Sequence, residues 1–215
     1  MSEILNKIKD IGIVPVVVID DSEDANDLAN ALIAGGLPCA EVTFRTEAAE
    51  ASIKIMSESH PDMLIGAGTI LKTEQVDRAV AAGAKFIVSP GFNPKVVEYC
   101  ISKNIPIVPG VCTPTEVEMA LEYGLRVLKF FPAEPSGGLS FIKAIAAPYT
   151  SVSFMPTGGI SASNVEPYLR YNRILACGGA WMAKKELIKE GRFDEIQRLT
   201  KEAADIVKRV RLEQQ

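Results

Sequence analysis

The stretch "MLIGAGTILKTEQVDRAVAAG", residues 63–83, contains one strand-like run followed by one helix-like run. Its first seven residues are apolar or small, as in a buried strand. The segment from Thr73 to Gly83 carries apolar residues at helical spacing, begins at a threonine and ends at a glycine, which are common helix start and stop signals. The stretch therefore predicts one strand–helix unit of a parallel α/β fold.

The same order of strand and helix recurs along the whole chain. Seven further strand-like runs lie at residues 11–19, 39–44, 85–90, 106–111, 126–131, 152–157 and 173–178. Eight units without an intervening linker predict one domain, residues 1–215, folded as a (β/α)8 TIM barrel. An amphipathic N-terminal helix precedes the first strand, and C-terminal helices, one short and one long, follow the last. A doubly wound open sheet is the alternative, which is disfavoured because no G-x-G-x-x-G follows the first strand.

Composition limits the possible partners. The chain has 27 acidic and 23 basic residues, a formal net charge of −4, which argues against a nucleic-acid partner. No apolar run approaches the roughly 20 residues of a membrane span, so no membrane partner is expected. The four cysteines form no C-x-x-C pair and predict reduced thiols in a cytoplasmic protein. With His60 as the only histidine, no metal site is predicted, although a carboxylate-only Mg²⁺ site remains open.

In a barrel of this kind, catalytic groups lie at the carboxyl ends of the strands. The second strand continues into "CAEVTFRT", in which Glu41, Thr43 and Arg45 share one parity and are expected to face the barrel interior. Two opposite charges facing a barrel mouth favour a catalytic role. An internal salt-bridge layer is the structural alternative.

Lys129 lies in the most apolar strand, "RVLKFF", with the parity of Val127 and Phe131 and close to Pro132, which ends the strand. Burial among apolar groups favours the neutral form of a lysine. A neutral amine adds to ketones and forms a Schiff base. Lys129 is therefore the predicted nucleophile, and a structural ion pair with Glu41 is the alternative.

Three glycine-containing strand ends complete the candidate site. "GAGTI" places the hydroxyl of Thr69 at the end of the third strand. Gly158 and Gly159 follow the seventh strand, and Gly178 and Gly179 lie at the eighth. Backbone amides at such positions bind phosphate in this fold. Simple turn glycines are the alternative interpretation.

Six segments, taken in chain order, resemble the signature segments of one known family: "EVTFRT", "GAGTIL", "SPGFNP", "PGVCTPTE", "LKFFPAE" and "PTGGIS". The family is that of the 2-keto-3-deoxy-6-phosphogluconate (KDPG) and 4-hydroxy-2-oxoglutarate aldolases. The resemblance extends from about residue 10 to residue 195. It implies a homotrimeric class I aldolase that needs no cofactor, because the substrate is held as a covalent Schiff base.

The resemblance assigns the Schiff base to Lys129 and the general acid/base role to Glu41. Arg45 and Thr69 are expected to hold the carboxylate of a 2-oxo acid such as pyruvate. The same comparison implies that Pro90 and Phe131 form the wall around the keto acid. It places the substrate phosphate at the turn of residues 158–159.

The chain departs from the family pattern at Ala180, where the family commonly has a phosphate-binding serine. The expected function is reversible cleavage of KDPG to pyruvate and glyceraldehyde 3-phosphate, with an unphosphorylated 4-hydroxy-2-oxo acid as the alternative substrate. A phosphate-binding barrel enzyme that uses Asp, His or a metal is a rival interpretation. A barrel that binds keto acids without catalysis is a second rival.

Overall fold

The computed structural model describes residues 2–214, in which strands and helices alternate along the chain. The strands are β1 (Ile13–Val17), β2 (Cys39–Thr43), β3 (Leu64–Gly68), β4 (Phe86–Val88), β5 (Ile107–Val108), β6 (Gly110–Val111), β7 (Val127–Phe130), β8 (Ser153–Pro156) and β9 (Cys177–Gly179). Almost every strand residue is buried, as in parallel sheets that are covered on both faces. The predicted α/β class is therefore confirmed.

The helices follow the strands as the sequence predicts. They are α1 (Glu3–Ile11), α2 (Ala25–Ala34), α3 (Ala49–Ser59), α4 (Thr73–Ala81), α5 (Pro94–Ser102), α6 (Pro114–Glu122), α7 (Gly138–Ala146), α8 (Val165–Leu169), α9 (Lys185–Lys189) and α10 (Phe193–Leu212). Helix α6 begins with a capping box, in which Thr113 and Glu116 satisfy each other's backbone N–H groups, followed by a proline at the first helical position. The predicted short and long C-terminal helices are α9 and α10.

All strand pairs are parallel, and they form a curled sheet in two hydrogen-bonded arcs. One arc has the order β5-β4-β3-β2-β1-β9 and the other has the order β6-β7-β8. Pro109 separates β5 from β6, since proline has no N–H to donate. The predicted single strand at residues 106–111 is therefore split. The predicted strand at 173–178 is also shorter, because Ile174 makes only an isolated bridge to Phe154.

Apolar side chains form two clusters, one on each side of the curled sheet. The larger cluster lies between the strands and the helices. The inner cluster draws on nearly every strand and includes Val127, Met155 and Phe86, with Ile8 of α1 fully buried against them. Burying one such side chain contributes about 1.5–3 kcal/mol. Helix α1 therefore covers the inner cluster and stabilises the end of the sheet that is remote from the carboxyl termini of the strands.

The long helix α10 packs against α2 through a position that has no side chain. A Cβ atom at Gly35 would lie 2.5 Å from the Cβ of Thr200 and 2.9 Å from the carbonyl oxygen of Gln197. Glycine at this position therefore lets the end of α2 approach α10 closely. Within residues 2–214 no helix combines the length and apolar character needed to cross a membrane.

The four cysteines are free thiols, as predicted. Cys39, Cys100 and Cys177 are buried, whereas Cys112 is half-buried. Burial raises the pKa of the Cys100 thiol to about 12. Burial also raises the pKa of Cys39, and the nearby charge of Glu41 adds to that shift. These buried thiols are therefore neutral core side chains.

Candidate active site

Lys129 and Glu41 form a buried ion pair across the curled sheet. Lys129 lies on β7 and Glu41 on β2, and the Lys129 Nζ atom is 3.2 Å from Glu41 Oε1. Lys129 is 4% exposed and Glu41 is fully buried. The second carboxylate oxygen, Glu41 Oε2, is buried and has no hydrogen-bond partner among the described residues. An unpartnered buried oxygen is costly, so this atom is a candidate acceptor for a water or a ligand hydroxyl.

The strand alternation on β7 explains why Lys129 faces inward. Val127, two residues earlier, belongs to the inner cluster, whereas Leu128 and Phe130 belong to the cluster under the helices. Because side chains on a strand point alternately to its two faces, Lys129 lies on the same side as Val127. The predicted inward parity of Lys129 is therefore confirmed.

Gly68 on β3 makes room for the Glu41 carboxylate. A Cβ atom at Gly68 would lie 2.2 Å from Glu41 Oε1 and 2.7 Å from its Cγ. Both atoms are buried within the sheet, so a larger residue at this position would displace the carboxylate. The "GAG" segment thus has a definite role in the site that its sequence alone does not reveal.

Phe131 contacts Lys129, and the Pro90 carbonyl lies against the strand that neighbours Lys129. The centroid of the Phe131 ring is 5.3 Å from Lys129 Nζ. On the neighbouring strand β6, Gly110 is the register partner of Lys129, and a Cβ atom there would lie only 2.1 Å from the carbonyl oxygen of Pro90. Phe131, directly after β7, therefore lies beside the Lys129 amine, whereas the carbonyl of Pro90, which follows β4, lies against Gly110, the residue paired with Lys129.

Arg45 and Thr69 are connected at the carboxyl ends of β2 and β3. The Arg45 Nε–H group donates to Thr69 Oγ1 at 3.2 Å. Thr69 has a φ of 57°, which is rare for a β-branched residue and typical of strained functional positions. Val42 and Phe44 pack in the larger cluster under the helices, so Thr43 has the predicted inward parity. Its hydroxyl donates to the Val17 carbonyl and thereby stabilises the β1–β2 pair.

The glycine turns line a cavity of about 480 Å³ at the carboxyl ends of the strands. Its walls are formed by Val16, Val18, Arg45, Phe131, Thr157, Gly158, Gly159, Ile160, Gly178, Gly179, Ala180, Trp181 and Lys184. Lys129, Glu41, Thr69 and Pro90 are not part of these walls. Phe131 and Arg45 connect the two groups, because each lines the cavity and also contacts one of the residues behind it.

Thr157 is a site residue that the sequence analysis did not select. Its hydroxyl is buried and has no hydrogen-bond partner among the described residues. A Cβ atom at Gly178 would lie 2.3 Å from this Oγ1 atom, so the glycine keeps space around it. The available signal was its position as a hydroxyl residue directly after a strand, the same signal that singled out Thr69.

The turn at residues 158–159 is held in place by the loop that follows β7, which is itself bonded to α8. Gly158 and Gly159 have φ values of 100° and 81°, a region that favours glycine. The backbone N–H of Glu134 donates to the Gly158 carbonyl at 3.0 Å. The Glu134 side chain in turn accepts a hydrogen bond from Tyr168. Burial, followed by this hydrogen bond to a carboxylate, raises the pKa of Tyr168, so the phenol remains a donor.

The fold and the site together define an α/β protein with an amine, a carboxylate and a cation-lined cavity grouped near the carboxyl ends of its strands. Such a set of groups suits covalent chemistry on an anionic carbonyl compound. The chain belongs to the KDPG and KHG aldolase family, whose model matches residues 4–199.

Similarity to known aldolases extends over nearly the full chain. The 2-dehydro-3-deoxy-phosphogluconate aldolase of Haemophilus influenzae is 48% identical over 206 residues, covering 96% of this chain and 97% of the relative. The KHG/KDPG aldolase of Escherichia coli K12 is 39% identical, covering 90% and 91%. The structure of the Legionella pneumophila KDPG aldolase is similar with a TM-score of 0.89 and 38% identity, covering 93% and 97%. That crystal structure contains pyruvate captured as a covalent carbinolamine intermediate.

Proposed function

We propose that this chain is a class I aldolase that cleaves KDPG reversibly to pyruvate and glyceraldehyde 3-phosphate. The observation that carries the proposal is the buried pair of Lys129 and Glu41, with Nζ and Oε1 3.2 Å apart, next to a cavity with cationic walls. The names of the relatives support the substrate, and the carbinolamine held by the Legionella enzyme supports a covalent route.

In the first half of the reaction, Lys129 is the nucleophile. It transfers a proton to Glu41, and the neutral Nζ then adds its electron pair to C2 of the keto acid. The proton that the added nitrogen then carries in excess moves to the former carbonyl oxygen, and the neutral carbinolamine forms. Glu41 returns a proton to this hydroxyl, water leaves, and an iminium remains on Lys129. The iminium is the electron sink that the next step needs, so the proposed mechanism uses no metal or other cofactor.

In the second half, Glu41 acts as the base. Its unpartnered Oε2 atom accepts the proton of the C4 hydroxyl. The electrons of the C3–C4 bond move into the iminium, the aldehyde leaves and an enamine remains. Protonation of the enamine at C3 and addition of water to the resulting iminium release pyruvate and restore Lys129. Positioned acid–base groups of this kind contribute about 10²–10⁴ in rate.

Arg45 and Thr69 hold the keto-acid carboxylate in this proposal, while Pro90 and Phe131 enclose its carbon chain. We predict that Arg45→Gln raises KM for KDPG about 10- to 100-fold, because it removes a hydrogen bond to a charged group. Thr69→Val should raise KM less, since the guanidinium charge remains. Steady-state release of pyruvate measures both effects.

Arg198→Gln is the matched control for Arg45, because Arg198 is an exposed arginine on α10 that pairs with Glu195. It should leave KM unchanged. An Arg45→Gln enzyme with unaltered KM would contradict the assignment of the carboxylate site.

The backbone amides around Gly158, Gly159, Gly178 and Gly179 bind the substrate phosphate in this proposal. Ala180 in the same wall has no hydroxyl to add. The absence of this donor, together with the KHG/KDPG name of the E. coli relative, supports 4-hydroxy-2-oxoglutarate as a second candidate substrate.

A substrate panel tests the proposed function. Pyruvate release should be most efficient, by kcat/KM, with KDPG, and lower with its galactonate epimer and with 4-hydroxy-2-oxoglutarate. Equal efficiency with the unphosphorylated substrate would favour the second candidate. No pyruvate from any of the three would contradict an aldolase function and favour a barrel that only binds keto acids.

We also propose that residues 1–215 form a single closed (β/α)8 barrel. Support comes from the two isolated bridges, Phe154 to Ile174 and Thr157 to Gly178, which join β8 to the β9 segment. At the other junction of the two arcs, only Pro109 separates β5 from β6, so the sheet runs on from one arc to the other there.

A homotrimer and a cytoplasmic location remain predictions of the sequence resemblance and composition. Half-exposed Leu71, with Val80 and Ile101 on the neighbouring helices α4 and α5, offers apolar surface for a subunit contact. Light scattering that returns a single 23.2 kDa chain would exclude the trimer.

A further inference from the structure

The charges around the 480 Å³ cavity are of one sign. Arg45 and Lys184 are the charged side chains in its walls, and no carboxylate of residues 2–214 lines it. The chain as a whole has more acidic than basic residues. A cavity with two cations in an acidic protein therefore concentrates positive charge where a ligand would bind.

The two cations have different surroundings. Arg45 donates to Thr69, and the proposed function assigns it to the keto-acid carboxylate. Lys184 belongs to the segment that follows Gly178, Gly179 and Ala180. The cavity thus has one cation assigned to a ligand group and one that the mechanism does not use.

The ammonium of Lys184 is available for a ligand. Lys184 is exposed and also borders an adjacent groove containing Glu186, Glu190 and Glu195. Within the described residues, however, no carboxylate oxygen lies within the 4.0 Å of a salt bridge from its Nζ. The next residue differs, because Lys185 Nζ lies 2.8 Å from Asp20 Oδ2. Two adjacent lysines therefore have separate environments, one engaged and one free.

We propose that Lys184 is a specificity-determining residue that binds the anionic group at the end of the substrate opposite the keto acid. This inference rests on the proposed function. The amides of the glycine turns are neutral donors and Ala180 contributes no side-chain donor, so Lys184 supplies the positive charge at this end. The recognised chemistry is that of an anion on the aldehyde half, a phosphate monoester or a carboxylate.

A lysine in this position acts on binding rather than on bond cleavage. Because its side chain is exposed, solvent and salt weaken the attraction, and the effect falls below that of a buried charge pair. Loss of the charge should raise KM for a phosphorylated substrate by roughly tenfold and leave kcat largely unchanged.

The test compares Lys184→Gln with the matched control Lys185→Gln. Each variant is assayed with KDPG, with unphosphorylated 2-keto-3-deoxygluconate, which differs only in the phosphate, and with 4-hydroxy-2-oxoglutarate, which ends in a carboxylate. Lys184→Gln should lower kcat/KM for KDPG by roughly tenfold and leave 2-keto-3-deoxygluconate unaffected. Lys184→Arg should restore most of the loss. Borohydride trapping of pyruvate, which lacks the distal anion, should proceed at the wild-type rate in both variants.

The outcomes separate this inference from the proposed function. A parallel loss with 4-hydroxy-2-oxoglutarate means that Lys184 binds any distal anion, whereas a loss with KDPG alone means that it binds phosphate. The role of Lys184 is overturned if Lys184→Gln leaves the ratio of the kcat/KM values for KDPG and 2-keto-3-deoxygluconate unchanged. It is also overturned if Lys185→Gln loses as much kcat/KM for KDPG. In both cases the enzyme remains an aldolase. Failure of the wild type to release pyruvate from any substrate defeats the proposed function itself.

Discussion

Replacing Lys129 with methionine is expected to abolish turnover of KDPG and all covalent trapping of pyruvate. Methionine is unbranched like the stem of lysine and nearly as long, but it has no amine to add to the carbonyl carbon. In the wild type, borohydride reduces the iminium between Lys129 and pyruvate to a stable secondary amine. Peptide mass spectrometry should therefore find one modified residue, Lys129, and none in the variant.

The stability of the same variant separates a chemical role from a structural one. Removing one member of a buried ion pair leaves the other charge uncompensated, which destabilises a protein by about 3–5 kcal/mol. Lys129→Met should therefore unfold at lower urea concentration, since Glu41 is fully buried. The double variant Lys129→Met/Glu41→Gln removes both charges and should regain much of that stability. It should remain inactive.

A stable double variant without activity would show that the pair is needed for chemistry and not only for folding. Turnover by Lys129→Met, or a borohydride adduct on another lysine, would contradict the assignment of the nucleophile. The control is Lys185→Met, which changes an exposed lysine paired with Asp20 and should retain trapping.

The inward direction of Lys129 was predictable because strand periodicity is a local property. Val127 lies in the inner cluster and Leu128 in the larger cluster between the strands and the helices, as alternation requires. The ion pair of Lys129 with Glu41 joins residues 88 positions apart. Such contacts depend on the order and register of the strands, so the sequence supported this pair only as one of two possible roles for the lysine.

The other residues of the site were less predictable, because their roles depend on close packing between strands. Gly68 is needed because the Glu41 carboxylate occupies the space of its missing side chain. Thr69 adopts a φ of 57°, which a residue type with a preference for strands does not indicate. Pro109 interrupts a run that otherwise has the composition of a strand. Local composition therefore predicts that these residues lie in or beside strands, but it does not predict the conformation or the contacts of each residue.

Changing Glu41 to glutamine is expected to lower kcat for KDPG cleavage by about 10²–10⁴, because the amide cannot accept the protons that the carboxylate does. Lys129 remains, so borohydride should still trap pyruvate on it, although more slowly. Exchange of the pyruvate methyl protons in D₂O, followed by NMR, measures proton transfer at C3 directly. This exchange should slow by a similar factor.

The combination of surviving adduct and slowed exchange distinguishes an acid–base role from loss of the folded site. Glu202→Gln is the matched control, since Glu202 is an exposed glutamate on α10 that pairs with Arg198, and its exchange rate should equal that of the wild type. If Glu41→Gln exchanges the methyl protons at the wild-type rate, another group performs the proton transfer. The unpartnered Oε2 atom of Glu41 would then have only an electrostatic role beside Lys129, and the C4 proton would need a different acceptor.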